Sequence, residues 1–233
     1  DNGNGREARA TEALFDSPEM IEMMTWWAEL GEAGYYTYSG TAGSAGYNPE
    51  GIAFLSGQTA MMINSTAGLT LILNFGAAQG IEVGVAPLFK PFEDANNGMT
   101  TGGAGVWLSA DQSEEELQAA NEFIFYLTNP ENSALWHQGS GYVPIRASSV
   151  ALLDEAGWFE ENPFFRVAVT QMEESESNLA TAGAVFGPSV EVRGYLISAF
   201  QSVIDSGVSP EEALTAAAEQ ANAELEGYNE FFE

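Results

Sequence analysis

Residues 102–127, GGAGVWLSADQSEEELQAANEFIFYL, carry a strand signal and a helix signal back to back. The glycine-rich approach Gly102-Gly103-Ala104-Gly105 runs into Val106, Trp107 and Leu108, which read as a buried strand. Ser113 followed by Glu114, Glu115 and Glu116 then forms a capping box. Behind it Leu117, Ala120, Phe123, Ile124 and Leu127 line one face of a helix.

The same alternation extends on both sides. Upstream, Ser17-Pro18-Glu19 is an N-cap, a first-turn proline and an early acid. Met20, Met23, Met24, Trp27 and Leu30 follow at helical spacing, and Gly31 and Gly34 stop the helix. A Gly/Ser/Tyr-rich loop fills 35–49, and a short helix is expected over 50–54. A strand over 60–63 ends at Asn64-Ser65-Thr66, and a helix runs from Gly68 through Leu73. Ile81 to Leu88 reads as a strand interrupted by Gly84 and ended at Pro87, followed by a polar connection to Met99. Downstream, Asn129-Pro130 opens a second helix carrying Leu135 and Trp136, and 139–144 is a crossing segment. Helices are expected over 148–156 and 163–172, and a surface loop over 173–187. Val192, Tyr195, Leu196, Ala199, Phe200, Val203 and Ile204 give a core-facing helix. Ser209-Pro210-Glu211-Glu212 caps a last one through Ala213, Leu214, Ala217, Ala218, Ala221 and Leu225. Strands alternating with helices predict an α/β fold. There is no internal repeat.

Apolar residues make up 45% of the 233, enough for a substantial core in one large domain or two smaller lobes. Against 34 acidic residues stand six basic ones, a formal charge of -28 dispersed among apolar positions. One lysine and no basic run exclude nucleic acid as a partner, and an acidic lipid surface for the same reason. Self-repulsion on this scale opposes compaction and is relieved by screening. We therefore expect the unfolding midpoint to rise between low and molar salt; a denaturation series showing no gain contradicts this. The absence of cysteine excludes disulfides and thiolate metal sites, and a lone His137 builds no metal cluster. No basic-then-apolar signal opens the chain, whose first residues look like a polar loop inside a longer protein.

Some residues suit a ligand, each with an ordinary alternative. Arg193 stands just inside a helix start and off its apolar stripe. It can grip two oxygens of an anion, or pair with one of the many carboxylates. Tyr142, between Gly141 and Val143-Pro144, either presents its ring and hydroxyl in a cleft or packs at a loop. Ser65 and Thr66 donate to a solute or cap the next helix, and Gly102 and Gly103 let backbone N–H groups approach a ligand or merely turn the chain. Trp26 and Trp27 point about 100° apart on a helix, so at most one is core, and neither is assigned to a cleft. Tyr35, Tyr36, Tyr38 and Tyr47 could contribute from their loop. His137 reads as a cap or packing residue rather than a base, and no pair among the many acids is diagnostic of a glycosidase.

Several phrases together resemble extracellular solute-binding proteins of family 1, in particular the glycerol-3-phosphate-binding type. They are Phe54-Leu55-Ser56-Gly57-Gln58-Thr59-Ala60-Met61, Val83-Gly84-Val85-Ala86-Pro87-Leu88, and Gly102-Gly103-Ala104 before Val106-Trp107-Leu108. Leu127-Thr128-Asn129-Pro130-Glu131-Asn132, Trp136-His137, Gly141-Tyr142-Val143-Pro144-Ile145, Arg193 and Ser209-Pro210-Glu211-Glu212-Ala213-Leu214 complete the set. The resemblance implies a type II periplasmic-binding-protein fold, of which this chain is the C-terminal portion with an incomplete first lobe. By that likeness 1–80 belong to the second lobe, 81–138 return to the first, and 139–233 return to the second with the C-terminal helices. It places Arg193 on a ligand phosphate, with Tyr142, the Gly103 backbone and Ser65 or Thr66 as neutral donors. The implied protein is a monomer without cofactor or catalytic residues. It is extracytoplasmic, either periplasmic or lipid-anchored at the outer face of the cytoplasmic membrane. It would deliver glycerol-3-phosphate, a glycerophosphodiester or a related polyol to the membrane permease of an ABC importer. An oligosaccharide-binding protein of the same fold and a saccharide-acting enzyme are the alternatives.

Overall fold

The computed structural model describes residues 1–36, 49–90, 98 and 100–232. Its helices are α1 (Asn2–Gly5), α2 (Pro18–Glu32), α3 (Pro49–Leu55), α4 (Leu69–Gln79), α5 (Glu114–Leu127), α6 (Pro130–Ser140) and α7 (Ala147–Glu155). They continue with α8 (Trp158–Glu161), α9 (Pro163–Glu173), α10 (Leu179–Ala182), α11 (Ser189–Ser206) and α12 (Pro210–Phe231), and a 3-10 turn, Thr66–Gly68, leads into α4. The chain divides into two compact units, 1–41 with 177–233 and 42–176.

In the first unit, α11 and α12 form a hairpin across which α2 packs. Gly207 closes α11 in the left-handed region at φ 68°, and Ser209 then caps α12 by accepting the Glu212 N–H at 3.2 Å. The reciprocal Glu212 bond of a full capping box is not formed among the described residues. Small side chains at Ala213 and Ala217 bring α12 close to its neighbours around Met24, Ala199, Val203 and Leu214. The N-terminal segment is lashed to the end of the chain. Arg6 donates to the carbonyls of Gly183 (2.6 Å) and Ala182 (2.8 Å), Asn229 to that of Ala10 (2.9 Å), and Ala13 N–H to Asn222 Oδ1 (2.6 Å). Trp26 and Trp27 are both half-buried, in edge contact at 4.8 Å.

In the second unit, Leu69, Ala134, Leu153, Phe159, Phe165 and Val169 make the core, drawn from α4, α6, α7, α8 and α9. Asn129 caps α6 through the Asn132 N–H at 2.7 Å, as the Asn-Pro-Glu phrase predicts. Ser113 and Glu116 of α5 complete a reciprocal capping box, with Ser113 N–H donating to Glu116 Oε2 at 2.9 Å.

Two expectations need correction. The stretches 60–63, 81–88 and 106–108 form no strand among the described residues. A strand exists only as one side of a hydrogen-bonded ladder, and these segments find no partner backbone. In 60–63 and 106–108 the side chains are largely bare, with Met61 84%, Val106 61% and Trp107 89% exposed, whereas Val85 in 81–88 is half-buried against the core of the second unit. The second correction concerns α5, which contains no fully buried residue: α5 touches α6, and on its expected core face Leu117, Ala120 and Ile124 are half-buried while Phe123 and Leu127 are exposed. Within the expected loop 173–187 a single helical turn, α10, is capped by Asn178.

Candidate ligand site

The site is built on the end of α6. Gly141 stops that helix at φ 99°, with its N–H on the His137 carbonyl at 2.8 Å. A Cβ at this position would lie 2.2 Å from the Thr66 carbonyl oxygen and 2.9 Å from Leu69 Cβ, so only glycine permits the helix end to meet the 3-10 turn. This contact brings two of the predicted elements, Tyr142 and Ser65-Thr66, into one neighbourhood. Tyr142 is held by its backbone. Its N–H donates to Ser140 Oγ at 3.2 Å, and its carbonyl accepts from His137 Nδ1 at 2.7 Å. Its ring is partly exposed, 6.2 Å from that of Trp136. Trp136 was not assigned to a site by sequence reasoning; its adjacency to the Gly-Tyr-Val-Pro phrase was the available signal.

Ser65 takes the commoner of its two expected roles, capping the turn by accepting the Ala67 N–H at 3.3 Å. Its hydroxyl proton stays free to donate, since the cap uses only a lone pair. Gly103 lies in an exposed stretch without regular structure, and beyond its chain neighbours no atom comes within 4 Å of where its Cβ would be. The structure therefore sets Gly141, the chain neighbour of Tyr142, against Thr66 and leaves Gly103 in open space.

Arg193 belongs to the other unit. It stands on the first turns of α11, exposed, next to the buried stripe residue Val192. Among the described residues it makes no hydrogen bond and no ion pair. By contrast, Arg166 is held by Asp154 at 2.9 Å and Glu173 at 3.3 Å, and Arg146 by the backbone carbonyl of Thr128. The expected alternative, an arginine satisfied by a neighbouring carboxylate, is not what the structure shows at Arg193. Of the loop tyrosines, Tyr35 is 84% exposed, Tyr36 lies 4.7 Å from the Trp27 ring, and Tyr38 and Tyr47 fall outside the described residues.

A shallow cavity of about 270 Å³ between Pro87-Leu88 and α9 contains none of the predicted residues, and its one cation, Arg166, is already neutralised. No cluster of metal-ligating side chains occurs among the described residues, and no helix there is long and apolar enough to cross a membrane.

His137 packs as expected, 1% exposed against Phe159 and Phe165. Burial pushes its ring below the ordinary histidine value, and the bond to the Tyr142 carbonyl opposes this in part. A histidine that binds fewer protons folded than unfolded stabilises the fold above its unfolded value. That contribution is lost as pH falls from about 6.5 toward the folded value. We expect the single histidine to titrate below 6.5 in a proton NMR experiment, although a net charge of -28 would raise an exposed histidine. A midpoint at or above 6.5 contradicts the burial.

The profile of bacterial extracellular solute-binding proteins matches residues 3–166, and the chain belongs to this family. The sn-glycerol-3-phosphate-binding periplasmic proteins UgpB of Escherichia coli O1:K1 and of Shigella flexneri serotype 5b are each 28% identical to it over 219 residues. These cover 94% of this chain and 49% of the relative. The crystal structure of UgpB from Mycobacterium tuberculosis in complex with glycerophosphocholine is similar, with a TM-score of 0.73 and 25% identity over 92% of this chain and 50% of that one. The fold is that of a type II periplasmic binding protein, and the chain spans about half the length of the relatives it matches.

Proposed function

We propose that this chain is part of the substrate-binding component of an ABC importer. It would capture glycerol-3-phosphate or a glycerophosphodiester outside the cytoplasmic membrane and deliver it to the permease. The observation that carries this reading is Arg193: in a chain with 34 acidic side chains, it is exposed and unpaired among the described residues. A guanidinium kept clear of carboxylates is available for a planar, two-oxygen grip on phosphate, and the start of α11 adds positive potential. Tyr142, Ser65 or Thr66, and the backbone N–H of Gly103 would supply neutral donors. The solute-binding nature of the relatives supports binding without chemistry, and the proposed component works as a monomer.

The lobe assignment of 1–80, 81–138 and 139–233 belongs to the same proposal. The exposed apolar side chains Phe123, Phe125, Tyr126 and Leu127 of α5, inside 81–138, support it, because they suit a helix that packs on further parts of a lobe.

In calorimetric titration of the full-length protein, Arg193→Ala is expected to weaken glycerol-3-phosphate binding about 30-fold or more, the cost of truncating one partner of a charge pair that ligand binding itself would bury. Unchanged affinity removes Arg193 from the site. The exposed pair Trp136 and Tyr142 favours a second reading, an oligosaccharide-binding protein, since aromatic faces stack on sugar rings. They equally accept the cationic head of a glycerophosphodiester. Maltose binding that survives Arg193→Ala, with no glycerol-3-phosphate binding in the wild type, would establish the second reading.

A further inference from the structure

His137 is the chain's one histidine, and its seat is apolar: 1% exposed, edge-on to Phe159 at 5.4 Å and Phe165 at 5.6 Å. Its Nδ1 lies 2.7 Å from the Tyr142 carbonyl oxygen. A carbonyl only accepts, so Nδ1 carries the proton and the neutral ring presents Nε2 as a bare acceptor. That Nε2 is buried without a partner among the described residues. Leucine or phenylalanine would fill the same aromatic seat without stranding a nitrogen. The packing therefore does not explain a histidine here, and the bond to Tyr142 does.

That bond is one of three that fix the chain reversal after α6. The others are Gly141 N–H on the His137 carbonyl and Tyr142 N–H on Ser140 Oγ. Together they immobilise the Tyr142 backbone on both sides of its Cα while its ring remains accessible beside Trp136. We infer that His137 is a positioning residue, holding Tyr142 in the presentation that meets the ligand; this rests on the reading that Tyr142 lines the ligand site. Burial disfavours the charged ring, and the bond to the Tyr142 carbonyl, which either protonation state can donate through Nδ1–H, opposes this in part. Arg166 lies over the Phe159 ring, which packs on the imidazole, at 5.0 Å and is itself bridged to Asp154 and Glu173. None of the three bonds the imidazole.

Two variants of the full-length protein separate positioning from packing. His137→Asn keeps an N–H donor close to the Nδ1 position, whereas His137→Leu keeps the apolar bulk and loses the donor. With glycerol-3-phosphate as the titrant, His137→Leu is expected to bind about tenfold more weakly than wild type, the loss of one buried hydrogen bond, and His137→Asn within about threefold. Thermal stability should not follow that order, because leucine suits the seat better than asparagine. Affinities that simply track Tm, or a His137→Leu variant that binds like wild type, overturn the inference. Tyr142→Ala separates the two claims. If it weakens binding while His137→Leu does not, only the positioning role fails; if it leaves binding intact, the ligand site fails with it. Independently of ligand, the ¹⁵N spectrum of the single imidazole should show the Nδ1–H tautomer, and the Nε2–H tautomer would overturn the proposal.

Discussion

Gly141→Ala should destabilise the protein by about 3 kcal/mol or more, seen as a large drop in the denaturation midpoint. Two costs add. The residue holds φ 99°, a region that side chains with a Cβ adopt only under strain, and its new methyl would stand 2.2 Å from the Thr66 carbonyl oxygen. The clashing atom is backbone of a packed turn, so it cannot swing aside as a flexible side chain would. Gly139, two residues earlier inside the same helix, is the internal control. No atom lies within 4 Å of its Cβ position, so Gly139→Ala should be neutral or stabilising by about 0.5–1 kcal/mol. If both variants behave alike, the contact between the α6 end and the 3-10 turn is not as described. Since that contact sets the chain neighbour of Tyr142 against Thr66, any folded Gly141→Ala protein should also bind ligand less tightly.

Leu214→Ala is expected to cost about 2–5 kcal/mol. Leu214 is fully buried, in a cluster with Met24 of α2, Ala199 and Val203 of α11, and Ala213 and Ala217 of α12. Its alanine neighbours have no volume with which to refill the hole, and Met24 is the flexible side chain best able to move in. Leu214→Met, which keeps most of the volume, should cost less than about 1.5 kcal/mol. Urea unfolding of the pair measures the difference. Equal losses would show that the cluster tolerates collapse.

Helices with local start signals were legible from sequence. Ser17-Pro18, Ser113 with Glu116, Asn129-Pro130 and Ser209-Pro210 each announce themselves through residues that bond within their own first turn. Strands were not, because Ala60 to Ile63 and Val106 to Leu108 have the right side chains but depend on a backbone partner that local sequence does not specify. The exposure of Phe123 and its neighbours on α5 was hidden for a related reason: an apolar stripe predicts that a face will be covered, and says nothing of what covers it. At the candidate site, Tyr142 and Arg193 could be singled out from residue type and surroundings. The meeting of Gly141 with Thr66 could not, since it joins positions 75 residues apart through a tertiary approach. His137 was recognisable as a packing residue, while its bond to the Tyr142 carbonyl needed the geometry of the turn.

The division of the chain also sets a timetable for synthesis. One unit is contiguous, 42–176, whereas the other is made of 1–41 and 177–233 and depends on Arg6, Asn229 and Asn222 to join its two pieces. As the polypeptide leaves the ribosome, the contiguous unit has all its residues first. Helix α2 must wait, with Met24 uncovered, until α11 and α12 have followed the whole of 42–176.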